Sequence, residues 1–196
     1  MALTKLDNKS VANVSTLPVA LGDMVLVSSA TASGSANIDF TLGNYKEYQF
    51  YFVNMHPSSD NISFQMNFST DNGSNYNVTK TSTYFEANHG ENDASSELVY
   101  QPTQDLAQST GYETLCPFVG NDNDQNCSGY LHLFNPSSTT YVKHYLSVLN
   151  NVNAGDYDVE SFKGGYANTT SALTNIRFKM SSGNIDAGTI LMYGIN

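Results

Sequence analysis

The stretch Thr174-Asn-Ile-Arg-Phe-Lys-Met-Ser-Ser-Gly-Asn-Ile-Asp-Ala-Gly-Thr-Ile-Leu-Met-Tyr-Gly-Ile195 decides the fold class. Ile176, Phe178 and Met180 fall at every second position with polar residues between them, which predicts a strand with one solvent-exposed face. A turn cluster follows at 181–184, and residues 189–195 are then largely apolar on both faces. We therefore predict that the chain closes as a β-hairpin.

The same alternation continues upstream of this ending. Residues 46–55 carry apolar side chains on both faces, which predicts a central strand, and 61–69 alternates cleanly. Asp71-Asn-Gly73 is a strong hairpin signal. We predict strands at 24–30, 36–42, 46–55, 61–69, 76–85, 97–101, 112–119, 128–134, 140–149, 158–166, 172–181 and 189–195.

Such a series of short strands, almost without helix, predicts an all-β fold: a single antiparallel β-sandwich, jelly-roll-like, over residues 23–196. Residues 1–22 lack a clear period and contain Pro18, so we expect an extended N-terminal arm. The arm is either a floppy terminus or a docking segment that orders on a partner. The side chains expected in the core are Phe50, Phe52, Phe64, Phe68, Ile176, Phe178 and Leu191.

Composition and charge limit the classes of partner. Charged residues make up only 13% of the chain and the formal net charge is −10, so the surface must be rich in neutral polar side chains. This charge argues against binding to nucleic-acid phosphates or to anionic membranes. Neither a membrane-spanning run nor a secretory signal peptide is recognised, so we expect no membrane insertion, and release by cell lysis is one route out of the cell.

Metal and cofactor motifs are weak. Asp122-x-Asp124-x-Asn126 resembles the start of a calcium loop, but Cys127 and Leu133 occupy the positions of the required Gly and Glu. His132 and His144 lie on predicted neighbouring strands without an evident third ligand. Cys116 and Cys127 are compatible with a loop-closing disulfide or, as we favour, with two reduced thiols. We therefore predict no metal site and no cofactor.

Polar loops are predicted at 86–97 and 119–128. Four acids, at positions 86, 91, 93 and 97, could supply a carboxylate pair for glycoside cleavage, but four acids in one polar loop are more often simply solvated, and we predict no catalytic residues. The loops are also suited to hydrogen-bonding sugars, with nearby tyrosines as an apolar face. The candidate glycan contacts are Tyr84, Tyr100, Tyr112, Asp122 and Asp124.

Three segments carry a family resemblance. The opening Met1-Ala-Leu-Thr-Lys5 is similar to phage fibre N-termini that dock on the virion, and Ser69-Thr-Asp-Asn-Gly-Ser-Asn-Tyr76 is similar to a strand–turn of phage β-sandwiches, with Asn72 in place of a Gly. The ending, from Ala172 to Ile195, closely resembles the closing hairpin of a recurrent phage β-sandwich. The chain thus resembles fibre, tail-tip and head-decoration structural proteins of tailed bacteriophages.

This resemblance implies a non-enzymatic virion protein, assembled in the host cytoplasm and released by lysis. It implies docking on other virion proteins through the arm, self-association as a homotrimer, and contact with a host surface glycan. A tail fibre or tail-tip adhesin is our first interpretation, and a capsid head-decoration or head-fibre protein is the second. A free carbohydrate-binding module and a glycan depolymerase are the alternatives of another class.

Overall fold

The computed structural model of the chain describes residues 24–196, and the predicted arm at 1–22 lies outside them. The described part is all-β and consists of two antiparallel sheets, as predicted. The larger sheet contains β1 (Val25–Thr31), β12 (Ile185–Ile195), β3 (Glu47–Pro57), β8 (Cys127–Phe134), β9 (Lys143–Val152), β10 (Tyr157–Ala167), β5 (Lys80–Gly90) and β6 (Ser96–Tyr100), in that spatial order. The smaller sheet contains β2 (Ile38–Thr41), β11 (Asn175–Met180), β4 (Ile62–Ser69) and β7 (Glu113–Val119).

The two predicted hairpins are wrong. The strands β11 and β12, expected to pair at the end of the chain, lie in opposite sheets, and the 181–184 turn carries the chain from one sheet to the other. The turn at Asp71–Gly73 likewise joins β4 in the smaller sheet to β5 in the larger one. A tight turn between two amphipathic strands fits a sheet-to-sheet crossing as well as a hairpin, because both bury one face.

The region 86–97, expected to be a polar surface loop, is instead the hairpin of β5 and β6, and its turn spans only 91–95. Its polar residues lie on strands near the edge of the larger sheet, where burial of both faces is not required. The loop predicted at 119–128 is present and narrower, between β7 and β8.

The apolar core lies between the sheets and is rich in aromatic rings. At its centre is Phe178, whose ring contacts the rings of Phe50, Phe52 and Phe64, with centroids 5.1–5.9 Å apart. All four side chains are nearly or fully buried. Six of the seven predicted core residues are buried. The seventh, Leu191, is only half-buried because it points to the outer face of β12, whereas its neighbours Ile190 and Met192 point inward. Since both faces of β12 are apolar, the pattern alone could not decide between them.

The larger sheet extends beyond the smaller one at both sides. Its two edge strands, β1 and β6, are exposed over almost their whole length, on both faces. Within residues 24–196 the chain forms no helix that could cross a membrane. The overhang leaves part of the inner face of the larger sheet accessible.

The sandwich has two distinct ends. At the proximal end, Val25 pairs with Gly194, so the start of β1 and the end of β12 meet there. At the distal end lie the 91–95 turn, the β7–β8 loop and the β9–β10 turn. Backbone hydrogen bonds from Glu91 to Asp156 (3.0 Å) and from Ala154 to Phe118 (3.0 Å) tie these distal connections together.

Candidate functional site

The five predicted glycan-contacting residues do not form one site. Asp122 and Asp124 are exposed at the distal end, whereas Tyr112 precedes β7 at the proximal end. Tyr100 is half-exposed on the edge strand β6 and donates a hydrogen bond to Asp105. The structure therefore does not bring these five residues together in one surface.

Tyr84 is also excluded as a surface contact, because it is fully buried. Its hydroxyl lies 2.9 Å from Glu86 Oε2 and 2.7 Å from Ser161 Oγ, and burial raises the pKa of its phenol far above the ordinary value. The proximity of Tyr84 to the predicted loop in sequence was misleading, since its position on β5 directs it inward.

Both predicted loop regions lie at the distal end, and the first of them, 86–97, lines a cleft there together with Phe118, which directly precedes the second. We call it the distal cleft. It opens between the inner face of the overhanging β5–β6 hairpin and the adjoining ends of β7, β9 and β10, and its volume is about 280 Å³. Its lining residues are Glu86, Asn88, Ser95, Glu97, Phe118, Asn153, Tyr157 and Val159.

Phe118 is held in this cleft by an irregularity of β7. Between the pairs Ile62–Val119 and Phe64–Cys116, β4 advances two residues while β7 advances three, so β7 carries one extra residue, a β-bulge. Phe118 has a φ of 56°, in the left-handed region that a bulky side chain rarely adopts, and it is 44% exposed. The bulge therefore directs an aromatic ring outward, at a cost of order 1–3 kcal/mol in backbone strain.

The polar groups of the cleft come from the hairpin. Asn88 and Glu97 face each other across β5 and β6, and Asn88 Nδ2 donates to Glu97 Oε1 at 3.3 Å. Glu86 lies deeper and is 5% exposed; its Oε1 accepts a hydrogen bond from Gln101 at 3.0 Å. Carboxylates and amides beside exposed aromatic rings can hydrogen-bond and stack a sugar, because a sugar presents hydroxyls at its rim and an apolar C–H face.

Asp122 and Asp124 belong to the neighbouring β7–β8 loop, which is organised by a buried glutamine. Gln125 is 4% exposed, accepts a hydrogen bond from the Asp122 backbone at 3.3 Å, and donates to Asp156 at 3.3 Å. Gly120 packs directly on the Gln125 side chain, where a Cβ would lie 1.8 Å from Oε1. The loop is thus fixed to the β9–β10 turn, and its two aspartates remain exposed at the distal end.

None of the weak metal motifs is assembled. Over residues 24–196, no group of three or more His, Cys, Asp or Glu side chains is arranged to hold a metal ion. The register pairs His132 with Leu146 rather than with His144, and His132 contacts Glu47 at 2.8 Å. Cys116 and Cys127 are buried free thiols, and burial raises the pKa of Cys116 well above its ordinary value.

A second surface, which the sequence analysis missed, lies on the outer face of the larger sheet. Phe85 and Phe162 stack there with ring centroids 4.9 Å apart and planes 8° apart. With Leu146, Tyr130 and the side-chain-free Gly164, they form an outer groove of about 480 Å³. The sequence does indicate this groove: Tyr130 on β8 and Leu146 on β9 are apolar or aromatic at outward positions, where a solvent-facing strand ordinarily carries polar residues.

Comparisons with known protein families, with curated proteins and with solved structures give no significant match to this chain.

Proposed function

We propose that this chain is a non-enzymatic structural protein of a bacteriophage virion, a tail fibre or tail-tip adhesin that contacts a glycan of the host surface. The observation that supports this proposal most is that the two ends of the sandwich differ. The N-terminal segment joins β1 at the proximal end, and the distal cleft lies at the opposite end, beside the accessible loops. A domain held by its N-terminal segment therefore presents the cleft outward.

The chemistry of the cleft supports a glycan as the ligand. Phe118 and Tyr157 supply aromatic surface, and Asn88, Glu97 and Asn153 supply neutral and anionic hydrogen-bonding groups. A single cleft of this size predicts weak binding, which a homotrimer on a multivalent particle would increase by orders of magnitude. The net charge of −10 favours neutral or cationic glycans over sulfated or phosphorylated ones.

Binding is tested with a variant that removes the ring without adding backbone strain. Asparagine tolerates the left-handed region, so we expect Phe118→Asn to fold with unchanged or higher stability and to bind host cells at least about tenfold more weakly. Leu146→Ser, in the outer groove, is the matched control and should bind like the wild type. Equal binding by Phe118→Asn and the wild type would refute the cleft as the contact surface.

The place on the particle is tested by immunogold electron microscopy of virions from the lysate, with antibodies raised against residues 24–196. Labelling at the tail tip is the expected result. Labelling over the head would replace the adhesin by the head-decoration interpretation. Recovery of the chain only in the particle-free fraction would refute a virion protein and favour a free carbohydrate-binding module.

The second candidate function is a glycan depolymerase, because Glu86 and Glu97 line the same cleft. Glycoside cleavage uses two carboxyl groups held on either side of the scissile bond. The release of reducing sugar from host polysaccharide by the wild type, and its loss in Glu97→Gln, would establish this activity. Binding without sugar release would leave the adhesin as the function.

A further inference from the structure

The interior of the sandwich contains a polar cluster at its β5–β7–β10 side, apart from the distal cleft. Three lysines, Lys80, Lys143 and Lys163, are almost completely buried, together with Glu113. A buried ammonium group is costly unless it is paired with a carboxylate and hydrogen-bonded. The three lysines differ in how this requirement is met.

Lys163 has a full ionic partner. Its Nζ lies 2.7 Å from Glu113 Oε1, and neither side chain is exposed to solvent. Glu113 also accepts hydrogen bonds from Ser82 at 3.0 Å and from Tyr145 at 2.6 Å. Its carboxylate is therefore already occupied by a cation and two hydroxyl groups.

Lys80 has neutral partners instead. Its Nζ lies 2.6 Å from Asn67 Oδ1 and 2.7 Å from the Val78 carbonyl oxygen, and both Lys80 and Asn67 are 0% exposed. The Asn67 carboxamide is held in place because its Nδ2 donates to the Tyr76 and Thr110 carbonyl oxygens, at 2.7 and 3.0 Å. A fixed carboxamide thus faces a buried primary amine.

The distances suit reaction between these two groups. Because a C=O bond adds about 1.2 Å to the 2.6 Å contact, Lys80 Nζ lies at most about 3.8 Å from Asn67 Cγ, close to the separation of about 3–3.5 Å at which bond formation begins. Burial lowers the pKa of Lys80 to about 8, against the opposing field of Glu113, so an appreciable fraction of the amine is neutral and nucleophilic near neutral pH.

We propose that Lys80 and Asn67 form an intramolecular isopeptide bond that joins β5 of the larger sheet to β4 of the smaller sheet. The neutral Nζ attacks Cγ, a C–N bond forms, the proton released from Nζ passes to Nδ2, and the Cγ–Nδ2 bond breaks to release ammonia. An amine and a primary amide thus become a secondary amide and ammonia, with no oxidant or co-reactant.

The reaction also removes an energetic defect of the fold. Within residues 24–196 the Lys80 ammonium contacts no carboxylate, and the reaction turns it into a neutral amide whose N–H can still donate to Val78. The new bond closes a loop over a sequence separation of 13 residues and connects the two sheets covalently, which restricts the unfolded chain. Such a cross-link suits any protein that must persist outside a cell, whatever its ligand.

The intact mass of the purified full chain tests the proposal directly. After allowance for removal of Met1, the wild type should be lighter than its sequence mass by one ammonia, and tandem mass spectrometry of a digest should give a branched peptide joining Lys80 to Asn67. Lys80→Arg and Asn67→Ala should have their full sequence masses. Lys143→Arg is the matched control: Lys143 is also buried but contacts only the Thr169 and Ser171 carbonyl oxygens, so the mass deficit should remain.

One side reaction has the same mass change and must be separated. Asn72-Gly73 can lose ammonia to give a succinimide, which hydroxylamine cleaves, whereas an isopeptide bond survives hydroxylamine. A wild-type chain at full sequence mass, or a deficit abolished by hydroxylamine, would overturn the proposal without any variant.

Discussion

The core between the sheets predicts a large and specific effect of Phe64→Ala. Phe64 is fully buried, stacks on Phe178 with ring centroids 5.9 Å apart, and meets Phe52 edge-on at 5.2 Å. Truncation removes roughly 150 Å² of buried apolar surface, worth about 4 kcal/mol at about 25 cal/mol per Å², within the usual range of about 3–5 kcal/mol for such changes. For a chain of this size we expect Tm to fall by roughly 6–20 °C.

The matched control is Phe85→Ala. Phe85 also has a stacked aromatic partner, Phe162 at 4.9 Å, but it is 44% exposed on the outer face. We therefore expect it to cost only about 1–1.5 kcal/mol. Urea unfolding followed by circular dichroism measures both values at an unchanged m-value. A Phe64→Ala cost below about 1.5 kcal/mol, or equal to that of Phe85→Ala, would refute the placement of the core.

Three further predictions concern charge and the N-terminal segment. Lys163→Met should destabilise the fold by about 3–5 kcal/mol in urea, because it leaves Glu113 buried without its cation. Hydrogen bonds from Asn75 and Ser69 lower the pKa of Asp71 to about 2. The stability that this carboxylate contributes is therefore complete above about pH 4 and is lost as the pH falls through about 2. Asp71→Asn should flatten the dependence of Tm on pH between these two values. Deletion of residues 1–22 should leave Tm unchanged and abolish incorporation into particles. Either a large fall in Tm or unchanged incorporation would refute the division into arm and sandwich.

Most strands could be predicted from the sequence because a strand that buries one face alternates with a period of two, and a strand that buries both faces is a short apolar run. All twelve observed strands overlap predicted ones. Pairing could not be predicted in the same way. The turns at Asp71–Gly73 and 181–184 look like hairpin turns, yet each joins strands in opposite sheets, because period and turn composition carry no information about which sheet receives the next strand.

The candidate site was predicted only in part, for a related reason. The segments around Glu97 and Asp122 were identified as polar, and both lie at the distal end. Phe118 was missed because a positive φ and a β-bulge appear only when β7 is aligned with β4. The Lys80–Asn67 contact depends on two strands in different sheets, so no local pattern in the sequence could indicate it.

Both proposals depend on the unequal width of the two sheets. Eight strands face four, and β7, the edge of the smaller sheet, packs against the inner face of β9 and β10, which leaves the hairpin of β5 and β6 beyond that edge. Toward the distal end this junction is open, and the inner face of the hairpin becomes the wall of a cleft. Toward the proximal end the same junction is closed and holds Lys80, Lys163 and Glu113 away from water. A covalent bond between β4 and β5 would hold the two sheets together on the side where the cleft opens, so a cross-linked chain should keep the geometry of the cleft under conditions that loosen the rest of the sandwich.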